Sequence, residues 1–231
     1  MEQKIIQAQV QTITPLTDSI LQLVLAPDEY VEYQAGQYLQ ILYDNEALSY
    51  SIANAPLGSH QYELHIRHSL DNSYNQSLFA HIKKQGAVTL RLPYGQCSID
   101  NLHLNRPILF IAGGTGFAPV KAMIEQLLAS NDSRTFELIW GARSRSDLYM
   151  DERVMNWQSH VSRFNYSSLL SDERKESLAS CALSRHPKDL NKWQIVLSGP
   201  FDMVYSTRDV LISNGVSPAH LFSDAFSFES K

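Results

Sequence analysis

The sequence predicts two domains of different class. Residues 1–103 read as a small antiparallel β-barrel, and residues 104–231 as an α/β domain with a parallel sheet. Three observations carry this. Up to about residue 100 the chain is written in short alternating or β-branched runs. After Pro107, apolar strands alternate with helix-patterned stretches. The change of grammar is abrupt and falls over residues 102–106, in a chain whose 231 residues suit two domains of about 100 residues each.

The barrel strands come in order as KIIQAQVQTI, SILQLVLA, GQYLQILY, LSYSIAN, YELHIRHS and AVTLRLPYG, with Gly, Pro, Asp or Asn in most of the gaps. The fourth is expected to span residues 49–53 and to stop at Pro56. One helix interrupts the series over residues 73–84, with Leu78 and Ile82 four apart. In the second half PILFIA is a compact apolar strand. GGTGFAP follows it, and VKAMIEQLLAS then places Val120, Met123, Ile124, Leu127 and Leu128 at helical spacing. TFELIWGAR, RFNYSSLL, WQIVLSGP and HLFSDAF read as further strands. Strand and helix in alternation imply a parallel sheet with crossover helices.

Composition excludes several function classes. Hydrophobic residues make up 44% and charged residues 19%, as in an ordinary globular protein, and the net charge of −5 leaves no basic footprint for nucleic acid. No apolar run approaches the roughly 18 residues that a membrane helix needs. MEQKIIQAQVQ has no apolar signal-peptide core, so the expected location is the cytoplasm. Cys97 and Cys181 are the only two cysteines and form no CxxC pair, which leaves disulfide frameworks, zinc sites and cysteine-held iron–sulfur clusters without support. No metal site is expected. His65 and His68, three apart on a strand, point to opposite faces and are read as structural or pocket residues.

Gly113, Gly114 and Gly116 fall where a strand hands over to a helix. Glycines there let the backbone turn sharply and approach a ligand, while the helix N-terminus offers free N–H groups to phosphate. Pro119 suits the first helical turn. GGTG is shorter than the full GxGxxG fingerprint, and a tight connection without a ligand would look the same. A second turn, SGPFDMV at residues 198–204, also ends a parallel strand and opens a helix. Both turns then lie at the carboxyl edge of one sheet, where open α/β folds bind ligands.

Taken together, these pieces resemble the ferredoxin-NADP reductase superfamily, and within it the bacterial NAD(P)H:flavin oxidoreductases. An Arg-x-(Tyr/Phe)-Ser flavin motif lies over Leu48-Ser49-Tyr50-Ser51. A strand like ELHIxxS spans residues 63–69, and a Pro-x-Gly turn appears as Pro93-Tyr94-Gly95. The AGGTGF(A/S) nucleotide turn covers residues 112–118, WG-x-R covers residues 140–143, and LF-x-DAF-x-F covers residues 221–228. The likeness runs nearly end to end. It implies a ferredoxin-reductase-like architecture, in which a Greek-key barrel binds flavin (FAD or FMN) and the α/β domain binds NADH or NADPH. It also implies a role as flavin reductase, with hydride passing from nicotinamide to flavin N5.

By the same resemblance Ser51 is the catalytic serine, a hydroxyl donor near the flavin N5. Tyr50 would lie along the flavin or belong to the barrel core, with Ile52 and Ala53 lining the same wall through their backbone. His65, Ile66 and Arg67 on the next strand, and Asn75 and Ser77 at the following helix, complete the flavin pocket. Phe226 or Phe228 would cover the flavin as a movable lid or plug the domain interface. Gly113, Gly114, Thr115 and Gly116 would cradle the dinucleotide phosphates, with Arg143 nearby. Ser198, Gly199 and Pro200 would admit the nicotinamide ribose. Ser198 stands where many members carry a cysteine, so no thiol-assisted step is expected.

One position departs from the pattern. Leucine at position 48 replaces the arginine that meets the flavin phosphate or ribityl chain, removing a charge-assisted anchor of about 1.5–3 kcal/mol. Either flavin exchanges as a substrate, or Arg67 supplies the lost charge. Arg143, Arg145, Arg174 and Lys175 favour a 2′-phosphate and Asp172 and Glu173 oppose it, which leaves NADH against NADPH open. Two other functions remain in view. One is an FAD-containing reductase that passes electrons to a separate protein such as an oxygenase, and the other is a non-catalytic flavin- or nucleotide-binding module.

Overall fold

Period-two burial builds the first half. The computed structural model describes residues 2–68 and 73–229. It opens with β1 (Lys4–Thr17), β2 (Ile20–Pro27), β3 (Tyr38–Tyr43), β4 (Glu46–Ser51), β5 (Tyr62–Arg67) and β6 (Ala87–Tyr94). They form one antiparallel sheet in the order β4-β3-β6-β1-β2-β5. A single bridge between Ile52 and Leu64 joins the two edge strands and curls the sheet into a barrel. Alternate residues such as Leu23, Leu25, Leu39, Ile41, Leu64 and Leu90 fill it. Helix α1 (Ser73–Gln85) adds Leu78 and Ile82, both fully buried, to the same core.

Two strands differ from the sequence expectation. β1 runs on to Thr17 because β2 pairs with it past the end of β6, and Pro15 then sits where β1 has β2 as its sole partner. A missing N–H costs nothing on that free side. β4 starts earlier and ends sooner than residues 49–53. Asp44 and Asn45, with φ of 50° and 63°, make the tight hairpin that launches it at Glu46. Beyond Ser51 the ladder gives way to separate bonds, Ile52 N–H to the Gln37 carbonyl and Ala53 N–H to the Glu63 carbonyl.

In the second half β7 (Ile108–Gly113), β8 (Phe136–Ala142), β9 (Phe164–Leu170), β10 (Gln194–Ser198) and β11 (Leu221–Phe222) form a parallel sheet in the order β11-β10-β7-β8-β9. The crossovers are α2 (Phe117–Ala129), α3 (Asp151–His160), α4 (Leu178–Arg185) and α5 (Phe201–Ser213). β7 is buried along its whole length, as a central strand covered on both faces must be. Phe110, Leu138 and Trp140 pack with α2 and α3. Leu109, Ile111 and Ile139 pack with α4 and α5 on the other face. HLFSDAF does not continue as a strand past Phe222. Ser223 Oγ accepts the Ala225 N–H, and residues Asp224–Phe228 wind into a 3₁₀ turn. Among the described residues no helix is long and apolar enough to cross a membrane.

Candidate active site

β7 and β10 lie side by side at the sheet centre, with Ser198 level with Ala112. β7 feeds α2 on one face and β10 feeds α5 on the other, so the chain diverges at their carboxyl ends. Such a switch point leaves a crevice. The two turns there touch backbone to backbone. A Cβ on Gly116 would stand 2.2 Å from the Ser198 carbonyl oxygen and 2.5 Å from the Gly199 nitrogen, so only glycine fits. Gly114 adopts φ +54°, the left-handed turn that aims the chain into α2. Helix α2 has no side-chain cap and no acid in its first turn, so its positive end meets no competing carboxylate, although Phe117 N–H is already taken by the Gly114 carbonyl. Trp140 Nε1 donates to the Gly114 carbonyl at 3.0 Å, and Phe117 stacks on that indole at 4.0 Å. These contacts explain why WG-x-R accompanies the glycine turn.

The barrel presents β4 to this edge. Two adjoining cavities result, of about 880 and 470 Å³, and Ser49, Ser51, Ser198 and Gly199 line both. The larger contains the whole glycine turn from Gly113 to Gly116 with Tyr50, His65, Arg67, Arg143 and Pro200. The smaller is apolar at its base, with Val120, Met123 and Val196, and Phe228 stands at its wall. Ser51 is half-buried, and among the described residues no hydrogen bond engages its hydroxyl. The Arg67 guanidinium lies 3.4 Å from where a Cβ on Gly114 would be, and no ion pair engages it among the described residues. Arg67 thus brings a positive charge against the nucleotide turn.

Several other predicted residues lie off this surface, and Phe228 and Tyr50 only partly belong to it. Ile52 and Ala53 are fully buried, and neither faces a cavity. Their N–H groups are taken by Gln37 and Glu63, and the Ala53 carbonyl accepts from Lys121. Ile66 points into the barrel core. Ser77 bonds the Tyr43 hydroxyl at 2.6 Å, and the Asn75 amide reaches the Arg67 carbonyl, so neither faces the cavities. Phe226 packs against the second-half core and under Arg208. Phe228 is 52% exposed and stacks on Phe201 at 5.7 Å. Tyr50 does two things, packing on the barrel core and lining the larger cavity. Leu48 rests against the same core. Ser69, the last residue of the ELHIxxS motif, lies outside the described residues.

Sequence reasoning missed several groups. Ser49 shares a face with Ser51 by strand period, which was a usable signal. Asp224 was not: its Oδ1 accepts the N–H groups of Gln96 and Cys97 at 2.7 and 2.9 Å, across 127 to 128 residues. Burial raises its pKa, and those two amides pull the other way. Burial also pushes up the thiol of Cys97, in the smaller cavity. His65 is buried and held neutral by that burial, against the pull of Glu63. Glu63 is held down at about 2: burial alone would raise it, but His65, Lys121 and Gln22 together outweigh burial. With the carboxylate as acceptor, His65 Nε2–H donates to Glu63 at 2.7 Å, and Nδ1 accepts from the Tyr149 hydroxyl at 3.0 Å.

Residues 110–209 match the oxidoreductase NAD-binding domain. Over 216 residues the chain is 33% identical to the CDP-6-deoxy-L-threo-D-glycero-4-hexulose-3-dehydrase reductase of Yersinia pestis, an alignment that covers 90% of this chain and 64% of that protein. It is 27% identical to the NAD(P)H-flavin reductase of Vibrio harveyi, covering 96% of this chain and 99% of the relative. By these matches the chain is similar to the reductases of the ferredoxin-NADP reductase superfamily. A ferredoxin NADP+ reductase from Neisseria gonorrhoeae, solved with bound FAD and NADP, superposes with a TM-score of 0.80 at 15% identity over 95% of this chain and 98% of that one. At that identity the likeness speaks for the fold. The crevice fits the groups that superfamily members hold. An uncapped helix start with no acid in its first turn, a left-handed glycine and an Arg67 charge suit a dinucleotide phosphate, and the apolar pocket beside Ser51 suits a flat ring.

Proposed function

We propose that the protein is an NAD(P)H-dependent flavin reductase that acts on riboflavin, FMN or FAD. The observation that carries this is the Ser51 hydroxyl, without a hydrogen bond among the described residues and standing on the wall where the two cavities meet, with Ser198 and Gly199 lining both as well. When bound, the nicotinamide nucleotide supplies a hydride and the flavin accepts it at N5. The chain orients the two. The α2 amides and Arg67 hold phosphate at the glycine turn, and the Gly116–Ser198 contact sets how far that turn stands from the strand end. Ser51 offers a donor at the ring edge where negative charge gathers. The apolar base formed by Val120, Met123 and Val196 excludes water there.

The charges around the nucleotide end of the crevice favour NADH. Arg143 faces Asp172 at 3.5 Å and Arg145 faces Asp151 at 3.3 Å, and Glu176 lines the crevice itself. At Arg143 and Arg145 a 2′-phosphate would therefore meet cations that already face carboxylates.

The test begins with flavin content as purified, followed by steady-state oxidation of NADH and NADPH with each flavin. Ser51→Ala should cut turnover at least tenfold, about 1.4 kcal/mol of lost transition-state stabilisation, while the melting temperature holds. Unchanged turnover would remove Ser51 from the reaction. A second reading is supported by the Yersinia relative, whose name describes a reductase serving a sugar dehydrase and whose length exceeds this chain. Tightly held flavin, with electrons passing to an added protein acceptor and poor activity on free flavin, would favour that reading.

A further inference from the structure

Lys121 is 1% exposed, an unusual place for a lysine, and its amino group has one partner for each N–H. It donates to the Ala53 carbonyl at 2.9 Å, and it faces Glu125 Oε1 at 2.9 Å and Glu63 Oε1 at 3.3 Å. These three acceptors come from the chain just past β4, from α2 itself and from β5. Ala53 lies two residues beyond Ser51, and Lys121 lies on the helix that the glycine turn opens. A second route leaves the same cluster. Glu63 accepts from His65, His65 accepts from Tyr149, and Tyr149 packs edge-on against Phe117 and Trp140. Trp140 then bonds the Gly114 carbonyl. Both routes run from the wall that carries Ser51 to the turn that receives the nucleotide.

Neither Lys121 nor Glu125 touches the crevice. They line a separate groove of about 630 Å³ that shares no residue with the two cavities. Any effect of Lys121 on the reaction must therefore pass through geometry.

We propose that Lys121 is a positioning residue, tying the Ser51 wall to the nucleotide-binding helix and so setting the distance and angle at which nicotinamide meets flavin. The inference rests on the reductase reading above. Rate depends steeply on such placement, since errors of about 1 Å cost on the order of a hundredfold. Lys121→Met keeps the length of the side chain and removes the clamp. Each carboxylate retains another partner, Glu63 with His65 at 2.7 Å and Glu125 with Arg153 at 3.5 Å and the Ala55 N–H at 3.3 Å. The substitution therefore strands no unpaired carboxylate in the interior.

The experiment compares wild type, Lys121→Met and Lys121→Arg in thermal melting, flavin affinity, the rate of flavin reduction in a single turnover at saturating NADH, and the long-wavelength absorbance that reports nicotinamide stacked on flavin. Expected for Lys121→Met are flavin affinity within about threefold of wild type, reduction at least tenfold slower and a weakened stacking band. Lys121→Arg should recover part of the rate. A folded Lys121→Met protein that reduces flavin at the wild-type rate, whatever its melting temperature, overturns the proposal. Should that variant fail to fold, Glu125→Gln is read the same way: slower reduction at unchanged flavin affinity supports the clamp, and an unchanged rate overturns it. A wild-type protein that oxidises neither NADH nor NADPH with any flavin overturns the reductase reading instead, and that outcome is visible before any variant is made.

Discussion

Gly116→Ala adds one methyl group at the tightest backbone contact of the site. Its Cβ would stand 2.2 Å from the Ser198 carbonyl oxygen, 2.4 Å from its carbon and 2.5 Å from the Gly199 nitrogen. Ordinary contact begins near 3.4 Å, so the end of β10 and the start of α2 must part by more than 1 Å. Every obstructing atom is backbone, and Ser198 is the last residue of β10 paired to β7. Relief therefore comes from breaking that rung or displacing the helix start. Overpacking of this kind costs about 1–3 kcal/mol, and one lost ladder bond adds about 1 kcal/mol. A total near 3 kcal/mol lowers the melting temperature of a chain this size by roughly 6–12 °C. Gly141→Ala is the control. Its Cβ would come nearest to the Leu178 side chain, at 3.0 Å, and a side chain can turn aside. That variant should lose less than about 1 kcal/mol. Melting curves and steady-state NADH oxidation on both proteins decide the matter. A Gly116→Ala protein that melts and turns over like the Gly141→Ala control would refute the claim that the two turns are locked together.

Two further outcomes follow from the buried histidine and the missing arginine. His65 has its pKa lowered from 6.5, mainly by burial, so the unfolded chain takes up this proton first as pH falls. The stability it contributes is present above pH 6.5 and is lost on acidification at up to about 1.4 kcal/mol per pH unit, until the folded-state pKa is reached. Urea unfolding of wild type and His65→Gln at pH 7 and 5.5 should show a shallower loss in the variant, and parallel losses would contradict the burial argument. Leu48→Arg puts a guanidinium on the strand beside Tyr50. It should tighten FMN and FAD relative to riboflavin about tenfold, the value of one charge-assisted hydrogen bond. An unchanged ratio in fluorescence titrations would mean that the flavin phosphate does not reach position 48.

What the sequence made legible was set by whether a signal is local. Alternation in β2 and β5 marks a barrel wall because neighbours two apart share a face. The glycine cluster marks a strand–helix turn because its own backbone demands it. The site's supports are not local. Lys121 sits in an apolar helical run whose other members pack in the core, and nothing in VKAMIEQLL says that its amino group meets a carbonyl from the barrel. Asp224 looked like part of a terminal strand, and its partners lie more than 120 residues away. Ile52 and Ala53 sit beside Ser51 in sequence, yet the strand ends at Ser51 and their backbone groups turn inward to the protein. A motif conveys which residues travel together, while folding decides which of them face the ligand.

The carboxylate of Asp224, seated on the amides of Gln96 and Cys97, has a consequence for how the protein is made. The barrel's last turn is synthesised first, and its seal arrives only when Asp224 follows, more than 120 residues later. Until then the wall beside the smaller cavity has one side missing. A chain stopped before Asp224 would hold a barrel whose strands are paired but whose last turn is still unlatched, with the crevice open at the edge where flavin is to bind.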